Sequence, residues 1–207
     1  MHSLAPADLT LQRIADDLAE QGWSEQPAFL PGSLMHELAA ECRQRARSGE
    51  LAPAAIGRGA GQQVREGVRG DRILWVERGQ SSACDRYLDT LDGLRAVLNQ
   101  SLFLGLEDFE GHFALYPPGA FYARHVDRFN DDDRRTVSVV FYLNEEWDRE
   151  NGGALRLHQG DGWRDIPPVG GTLMVFMSAD TLHEVLPATR DRLSLTGWFR
   201  RRAVLPL

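Results

Sequence analysis

The chain has 207 residues, room for one substantial core and too little for two full enzyme domains. Hydrophobic residues make up 43% and charged residues 26%, the balance of an ordinary globular domain, and the formal net charge of -7 argues against a nucleic-acid partner. No apolar run reaches the roughly 18 residues that a membrane-crossing helix needs, and no basic region followed by an apolar stretch opens the chain, so a cytoplasmic location away from membranes is expected.

The first third reads as helical. Asp8 to Gln21 places Leu11, Ile14, Ala15 and Leu18 on one face of a helix that Gly22 ends. Pro31-Gly32-Ser33 opens a second helix, apolar along Leu34, Leu38, Ala39 and Cys42 and polar along Glu41, Arg43, Arg45 and Arg47. Gly57-Arg58-Gly59-Ala60-Gly61 begins a glycine-rich stretch that runs to Gly70. It lacks the Lys-Ser/Thr of a phosphate loop and the acidic partner of a dinucleotide fold, so it reads as a loop. Ile73 to Val76 predicts a short strand. A third helix from near Ser82 to about Asn99 carries Tyr87, Leu88, Leu91, Leu94 and Leu98 as its apolar stripe. Cys42 and Cys84 fall in helical segments without CxxC spacing and read as reduced, partly buried side chains.

From Phe109 the texture changes to short β-rich runs broken by turns. The expected strands are Phe109 to Tyr116, Phe121 to Asp127, Thr136 to Leu143, Ala154 to Leu157, Thr172 to Met177 and Leu193 to Arg200. Pro117-Pro118-Gly119, Asn151-Gly152-Gly153 and Pro167-Pro168 mark turns between them. This spacing predicts an antiparallel sandwich or barrel backed by the helices. Asp131-Asp132-Asp133 reads as a solvated loop.

Six histidines are present. His125 and Asp127 lie two apart, and strand alternation would put both on one face. His183 comes after the apolar strand that ends at Met177. Two imidazoles and a carboxylate on one side of a metal leave open positions opposite, the arrangement of non-haem Fe(II) centres that bind a cosubstrate and oxygen. Arg192 follows His183 by nine residues and opens a strand with Ser194, Thr196 and Trp198 on its own face and Leu193, Leu195 and Phe199 on the other. A polar and aromatic face opposite an apolar one suggests a lined pocket, and the planar guanidinium fork suits a carboxylate. Val140 and Tyr142 share a face of the preceding strand, and Tyr116 is a similar candidate. His112 and His158 read as structural, His2 and His36 as surface residues.

Tyr122-Ala123-Arg124-His125-Val126-Asp127, Tyr142-Leu143-Asn144-Glu145-Glu146-Trp147, Gly152-Gly153-Ala154-Leu155-Arg156 and His183-Glu184-Val185-Leu186-Pro187-Ala188 together resemble the prolyl 4-hydroxylases that act on hypoxia-inducible factor. Val68 to Trp75 extends the likeness upstream. The short acidic chain is more similar to the bacterial branch, whose substrate is elongation factor Tu. The resemblance implies a double-stranded β-helix (jelly-roll or cupin-like) core in a single domain over 1–207. Residues 1–100 would give helical support and a loop at 57–71 that closes over the substrate, and 101–207 the catalytic core. It implies Fe(II) on His125, Asp127 and His183, with 2-oxoglutarate and O2 as cosubstrates and ascorbate as an accessory reductant. Arg192 and Tyr142 would hold the distal carboxylate of 2-oxoglutarate, and Tyr116, Leu155, Thr196 and Trp198 would line its pocket. Asp71 and Arg135 would form a pair near the prolyl peptide, with Arg69 beside them. Gly197 and Leu186 depart from the relatives' side chains, which bears on pocket shape. The region 1–56 carries little of the motif.

The implied reaction is hydroxylation of a prolyl C4 in a protein, with an oxygen-sensing role and a monomeric enzyme as further expectations. The same chemistry on a free amino acid or small metabolite is the enzymatic rival, and the long glycine-rich loop favours the larger substrate. A non-catalytic cupin-like metal-binding sensor is the rival of another class, and a carboxylate clamp at Arg192 and Tyr142 argues against it.

Overall fold

Strand alternation sorts the β-rich runs into two antiparallel sheets, seen in a computed structural model that describes residues 6–54, 67–128 and 132–202. In chain order the elements are α1 (Pro6–Gln21), β1 (Trp23–Gln26), α2 (Gly32–Arg47), β2 (Ala52–Pro53), β3 (Arg72–Trp75), α3 (Ser82–Leu102), β4 (Leu106–Tyr116), β5 (Tyr122–His125), β6 (Arg135–Tyr142), β7 (Leu155–Gln159), β8 (Gly162–Ile166), β9 (Leu173–Met177), β10 (His183–Val185) and β11 (Arg192–Arg201). The larger sheet runs β1-β9-β6-β11-β4-β3-β2 and the smaller β5-β10-β7-β8.

The larger sheet separates two cores. Phe113, Val137, Val139, Phe141, Val175, Leu193, Leu195 and Phe199 face outward and are buried beneath Ile14, Leu18, Leu38, Tyr87, Leu91, Leu94 and Leu98 of the helices. Each such side chain taken from water stabilises the fold by roughly 1.5–3 kcal/mol. The alternate residues Ala114, Tyr116, Val140, Tyr142, Met174 and Phe176 face inward, against Leu155, Leu157 and Val185 of the smaller sheet. The expected β-architecture backed by helices is therefore present. Local chemistry anchors the helical layer: the Ser81 hydroxyl accepts from the Cys84 N–H at 3.1 Å to cap α3, which ends at Phe103 in the left-handed region (φ 54°). The Asn99 amide then clamps Leu106 through both its backbone groups, at 2.7 and 2.9 Å, and so sets the start of β4.

Several expectations need correction. β1, β2, β8 and β10 were not among the expected strands. Trp23–Gln26 pairs with β9 immediately after the turn at Gly22 (φ +81°), because Trp23 and Ser24 find a partner only in the assembled sheet. Gly162–Ile166 is held by pairing with β7 although four of its five residues are exposed, so no hydrophobic pattern marks it. The strand expected over Phe121 to Asp127 ends at His125. Asp132 and Asp133 are not merely solvated: Asp132 binds Arg134 at 2.8 Å, and Asp133 pairs with Arg201. Cys42 and Cys84 are both free and buried, and His36 is an exposed surface residue paired with Glu145, as expected. His2 and most of the expected 57–71 loop lie outside the described residues. Among the described residues no helix is long and apolar enough to cross a membrane.

Candidate active site

β10 lies between β5 and β7, and its register sets His183 opposite His125. The two rings stand 4.3 Å apart between centroids. The Nδ1 of His125 is 2.7 Å from the Ala123 carbonyl oxygen, and that of His183 is 2.9 Å from the Thr181 carbonyl oxygen. A carbonyl only accepts, so in each neutral ring Nδ1 carries the proton and Nε2 offers a lone pair. Both Nε2 atoms face Asp127, at 3.4 and 3.7 Å from its carboxylate oxygens. One ligand atom from each of the three residues fits within 4.8 Å of the others, so the trio could hold a metal ion.

Alternation along a strand does not place Asp127, which follows β5. Its backbone N–H donates to the Ser178 carbonyl at 3.2 Å, and the Ser138 hydroxyl donates to its Oδ2 at 2.7 Å. Ser138 and Ser178 share a further hydroxyl contact at 2.8 Å. Burial alone would raise the Asp127 pKa, but the neighbouring His183 and His125 and the Ser138 hydroxyl outweigh it and hold the carboxyl below its usual range. Burial pushes the His183 pKa down, against the pull of Asp127, so the ring is kept neutral and ready to bind metal. Two neutral imidazoles and one carboxylate are the donor set of a non-haem Fe(II) facial site.

At the far end of the same cavity lies Arg192, 2% exposed. Its Nε donates to the Gly153 carbonyl at 2.8 Å, and its guanidinium carbon lies 5.2 Å from the ring centres of both Tyr116 and Tyr142. Among the described residues no carboxylate pairs with it. A buried cation without a counter-charge is costly, which marks the place of an absent anion. Tyr142 is fully buried and its hydroxyl has no hydrogen-bond partner among the described residues. Burial raises its pKa to about 12, so it is a firm donor. Gly153 sits at φ +70°, where a Cβ would come within 3.3 Å of the Arg192 Cδ; the expected turn is thus also part of the wall.

Leu155, Thr196 and Trp198 line this cavity, together with Arg69. Arg69 and Asp71 form a two-pronged ion pair, Nη2 to Oδ2 at 2.8 Å, with the Asp71 side chain fully buried. The expected pairing of Asp71 with Arg135 is overturned: Arg135 binds Glu110 at 2.9 Å and lies 3.4 Å over the Trp198 ring. β3 carries Asp71 to Arg69 because both lead into the same strand, whereas Arg135 starts β6 on the far side of β11. Three further residues escaped sequence reading. Tyr122 stacks on His125 with ring centroids 3.6 Å apart, a placement its position within the motif could have signalled. Val185 also lines the cavity. His112, read as structural, is in fact a lining residue whose Nε2 lies 3.5 Å from Arg69, and its register opposite Thr196 was the available signal. Burial, then the charges of Arg69 and Arg135, push its pKa well below the usual histidine value.

Comparison with known proteins agrees with this geometry. Residues 111–200 match the family model of the 2OG-Fe(II) oxygenase superfamily. Human prolyl hydroxylase EGLN3 is 31% identical over 207 residues, covering 92% of this chain and 83% of that protein. Human Egl nine homolog 1 is 35% identical over 64% of this chain, which spans only 33% of that longer protein. Among solved structures, a Pseudomonas putida prolyl-4-hydroxylase is 58% identical with a TM-score of 0.86, over 93% of this chain and 99% of that one. A Trichoplax adhaerens prolyl hydroxylase in complex with a hypoxia-inducible-factor peptide is 27% identical with a TM-score of 0.84, over 96% and 94% of the two chains. These neighbours have the double-stranded β-helix fold, which the two facing sheets here share. The chain belongs to the 2OG-Fe(II) oxygenase superfamily, whose members use Fe(II), 2-oxoglutarate and O2, and its similar proteins there are prolyl hydroxylases.

Proposed function

We propose that the chain hydroxylates C4 of a prolyl residue in a protein, with elongation factor Tu as the substrate. The observation that carries the cosubstrate is Arg192, a buried guanidinium with no carboxylate among the described residues, in one cavity with His125, Asp127 and His183. His125, Asp127 and His183 are the iron ligands in this reading. Arg192 would receive the distal carboxylate of 2-oxoglutarate, and the Tyr142 hydroxyl would donate a hydrogen bond to it. Tyr116, Leu155 and Thr196 confine the chain of the cosubstrate, and Trp198 closes the wall beside Arg135. Bound Fe(II) supplies the oxidation, in which 2-oxoglutarate and O2 become succinate and CO2 and one oxygen atom enters the prolyl C–H bond. The protein's own part is positioning: fixed carbonyls hold both imidazoles in their metal-binding tautomer, Ser138 orients Asp127, and apolar walls exclude water. The Arg69–Asp71 pair stiffens the wall where the prolyl segment would lie, next to Tyr122.

Similarity to the Pseudomonas prolyl-4-hydroxylase supports the prolyl reading, and the Trichoplax complex with a peptide supports a protein-borne proline over a free metabolite. Elongation factor Tu is named on the likeness to the bacterial branch. The test is mass spectrometry of elongation factor Tu after anaerobic loading of the enzyme with Fe(II) and 2-oxoglutarate and exposure to air. A gain of one oxygen on a prolyl peptide, absent with His183→Ala, is expected. Succinate without that gain would overturn the substrate, and neither product would overturn the enzyme reading.

A further inference from the structure

α2 carries charge of opposite sign on its two flanks. On one, Glu37, Glu41 and Glu50 border a cleft with Ser81, and Glu41 and Glu50 are tied to Arg45, at 2.8 Å each. On the other, Arg43, Ala46 and Arg47 face Leu51, Arg72, Leu115 and Asp191 across a groove of about 360 Å³. This groove holds three guanidinium groups against one carboxylate, in a chain whose net charge is -7. Arg47 and Arg72 are exposed and make no ion pair or hydrogen bond among the described residues, and Arg43 has only a loose contact with Glu145 at 3.9 Å. Many arginines elsewhere are committed, as Arg200 is to both Asp108 and Glu110; Arg13, Arg124 and Arg149 are uncommitted among the described residues too, so what sets the groove apart is that its guanidinium groups gather in one place.

We propose that this groove docks an acidic segment of the protein substrate, outside the reaction cavity. The inference rests on the proposed hydroxylation of a protein. Three charges spread along an open groove suit several carboxylates on an extended chain better than one compact anion. The apolar floor of Leu51 and Leu115 suits the aliphatic parts of such a chain. Leu51, which leads into β2 at the edge of the larger sheet, also lines the groove. The groove lies on the helix-facing side of the larger sheet, where Arg72, Leu115 and Asp191 are each next in the chain to Asp71, Tyr116 and Arg192, whose side chains turn to the cavity side. A substrate held there presents its prolyl segment to the cavity from a fixed distance, and the local positive field offsets the repulsion that the acidic enzyme exerts on an acidic partner.

The test uses a fluorescent glutamate-rich peptide as probe and two double variants of equal net charge: Arg47→Glu/Arg72→Glu in the groove and Arg13→Glu/Arg149→Glu on exposed positions elsewhere. Probe binding at low salt is expected to weaken roughly tenfold or more in the groove variant and to stay unchanged in the control. Absent binding, or equal loss in both variants, would overturn the proposal. Arg47→Gln/Arg72→Gln repeats the reading should charge reversal disturb folding, which circular dichroism detects. In turnover, kcat/KM for whole elongation factor Tu is expected to fall about tenfold in the groove variant while that for its short prolyl peptide stays constant. Equal effects on both substrates would overturn the docking role. If wild-type enzyme leaves elongation factor Tu unmodified, that substrate fails and the probe alone decides the groove.

Discussion

The two faces of the larger sheet follow one alternation and have opposite contents. The outer face, from Phe113 to Phe199, is largely apolar and packs on α1, α2 and α3; Ser24 and Gln26 are tied to Asp17 of α1, and the Tyr87 hydroxyl alone in that cluster is left without a hydrogen-bond partner among the described residues. The inner face buries Arg192, Tyr142, His112 and Trp198, and the Tyr142 hydroxyl, the His112 Nδ1 and the Trp198 Nε1 have no hydrogen-bond partner among the described residues. Such groups gather on the inner face, where each unsatisfied one costs about 1–3 kcal/mol. The outer face carries the stability of the fold, and the inner face gives some of it up to prepare for ligands.

Substitutions that separate the two faces test this division. The largest effect is expected on the outer face: Phe199→Ala removes a fully buried ring and should cost about 3–5 kcal/mol in denaturant unfolding while leaving 2-oxoglutarate affinity nearly unchanged. A similar loss of affinity at intact stability would erase the distinction. On the inner face, Arg192→Ala should weaken 2-oxoglutarate binding by about 2–5 kcal/mol in calorimetry and leave Fe(II) uptake and the unfolding midpoint of the ligand-free protein almost untouched. Unchanged cosubstrate affinity would remove Arg192 from its role. Ser138→Ala takes one hydrogen bond from Asp127 and should lower Fe(II) affinity about 10- to 100-fold without altering the outer core.

The smallest expected effect concerns pH. In the folded protein His112 and His183 both have pKa values lowered by burial, so the unfolded chain takes up their protons first as pH falls. Stability of the metal-free protein is then full above the unfolded histidine value of about 6.5 and is lost below it, by up to about 1.4 kcal/mol per pH unit for each group. Asp127, also lowered, adds its loss only as pH drops below about 4. His112→Phe should flatten the slope between neutral pH and about pH 5 in urea titrations; an unchanged slope would show that His112 is not held neutral.

Legibility in the sequence followed the physics of each element. The apolar stripes of Ile14 and Leu18, Leu34 and Leu38, and Leu91 and Leu94 announce their helices because each buries one face against one sheet. Trp163 in β8 gave no such signal, since β8 buries only Ile166 and its other side chains make charged and cation–π contacts at the surface, as Asp165 does with Arg156 and Arg164 with Glu25. In the site, Arg192, Tyr142, Thr196 and Trp198 were readable from alternation, which β11 and β6 preserve in register. The Asp71–Arg135 pair was not, because ion pairing depends on which strands become neighbours, and β3 and β6 do not.

The sequence by itself singled out His125, Asp127, His183 and Arg192 as candidates, because those chemistries need particular residue types at particular positions. Only the tertiary structure decided how they are held. Carbonyl oxygens of Ala123 and Thr181 choose the imidazole tautomers, and Ser138 and Ser178 place a carboxylate that lies beyond its strand. Those partners come from separate segments, and hydrogen bonds of about 3 Å exist only once the sheets have brought the segments together.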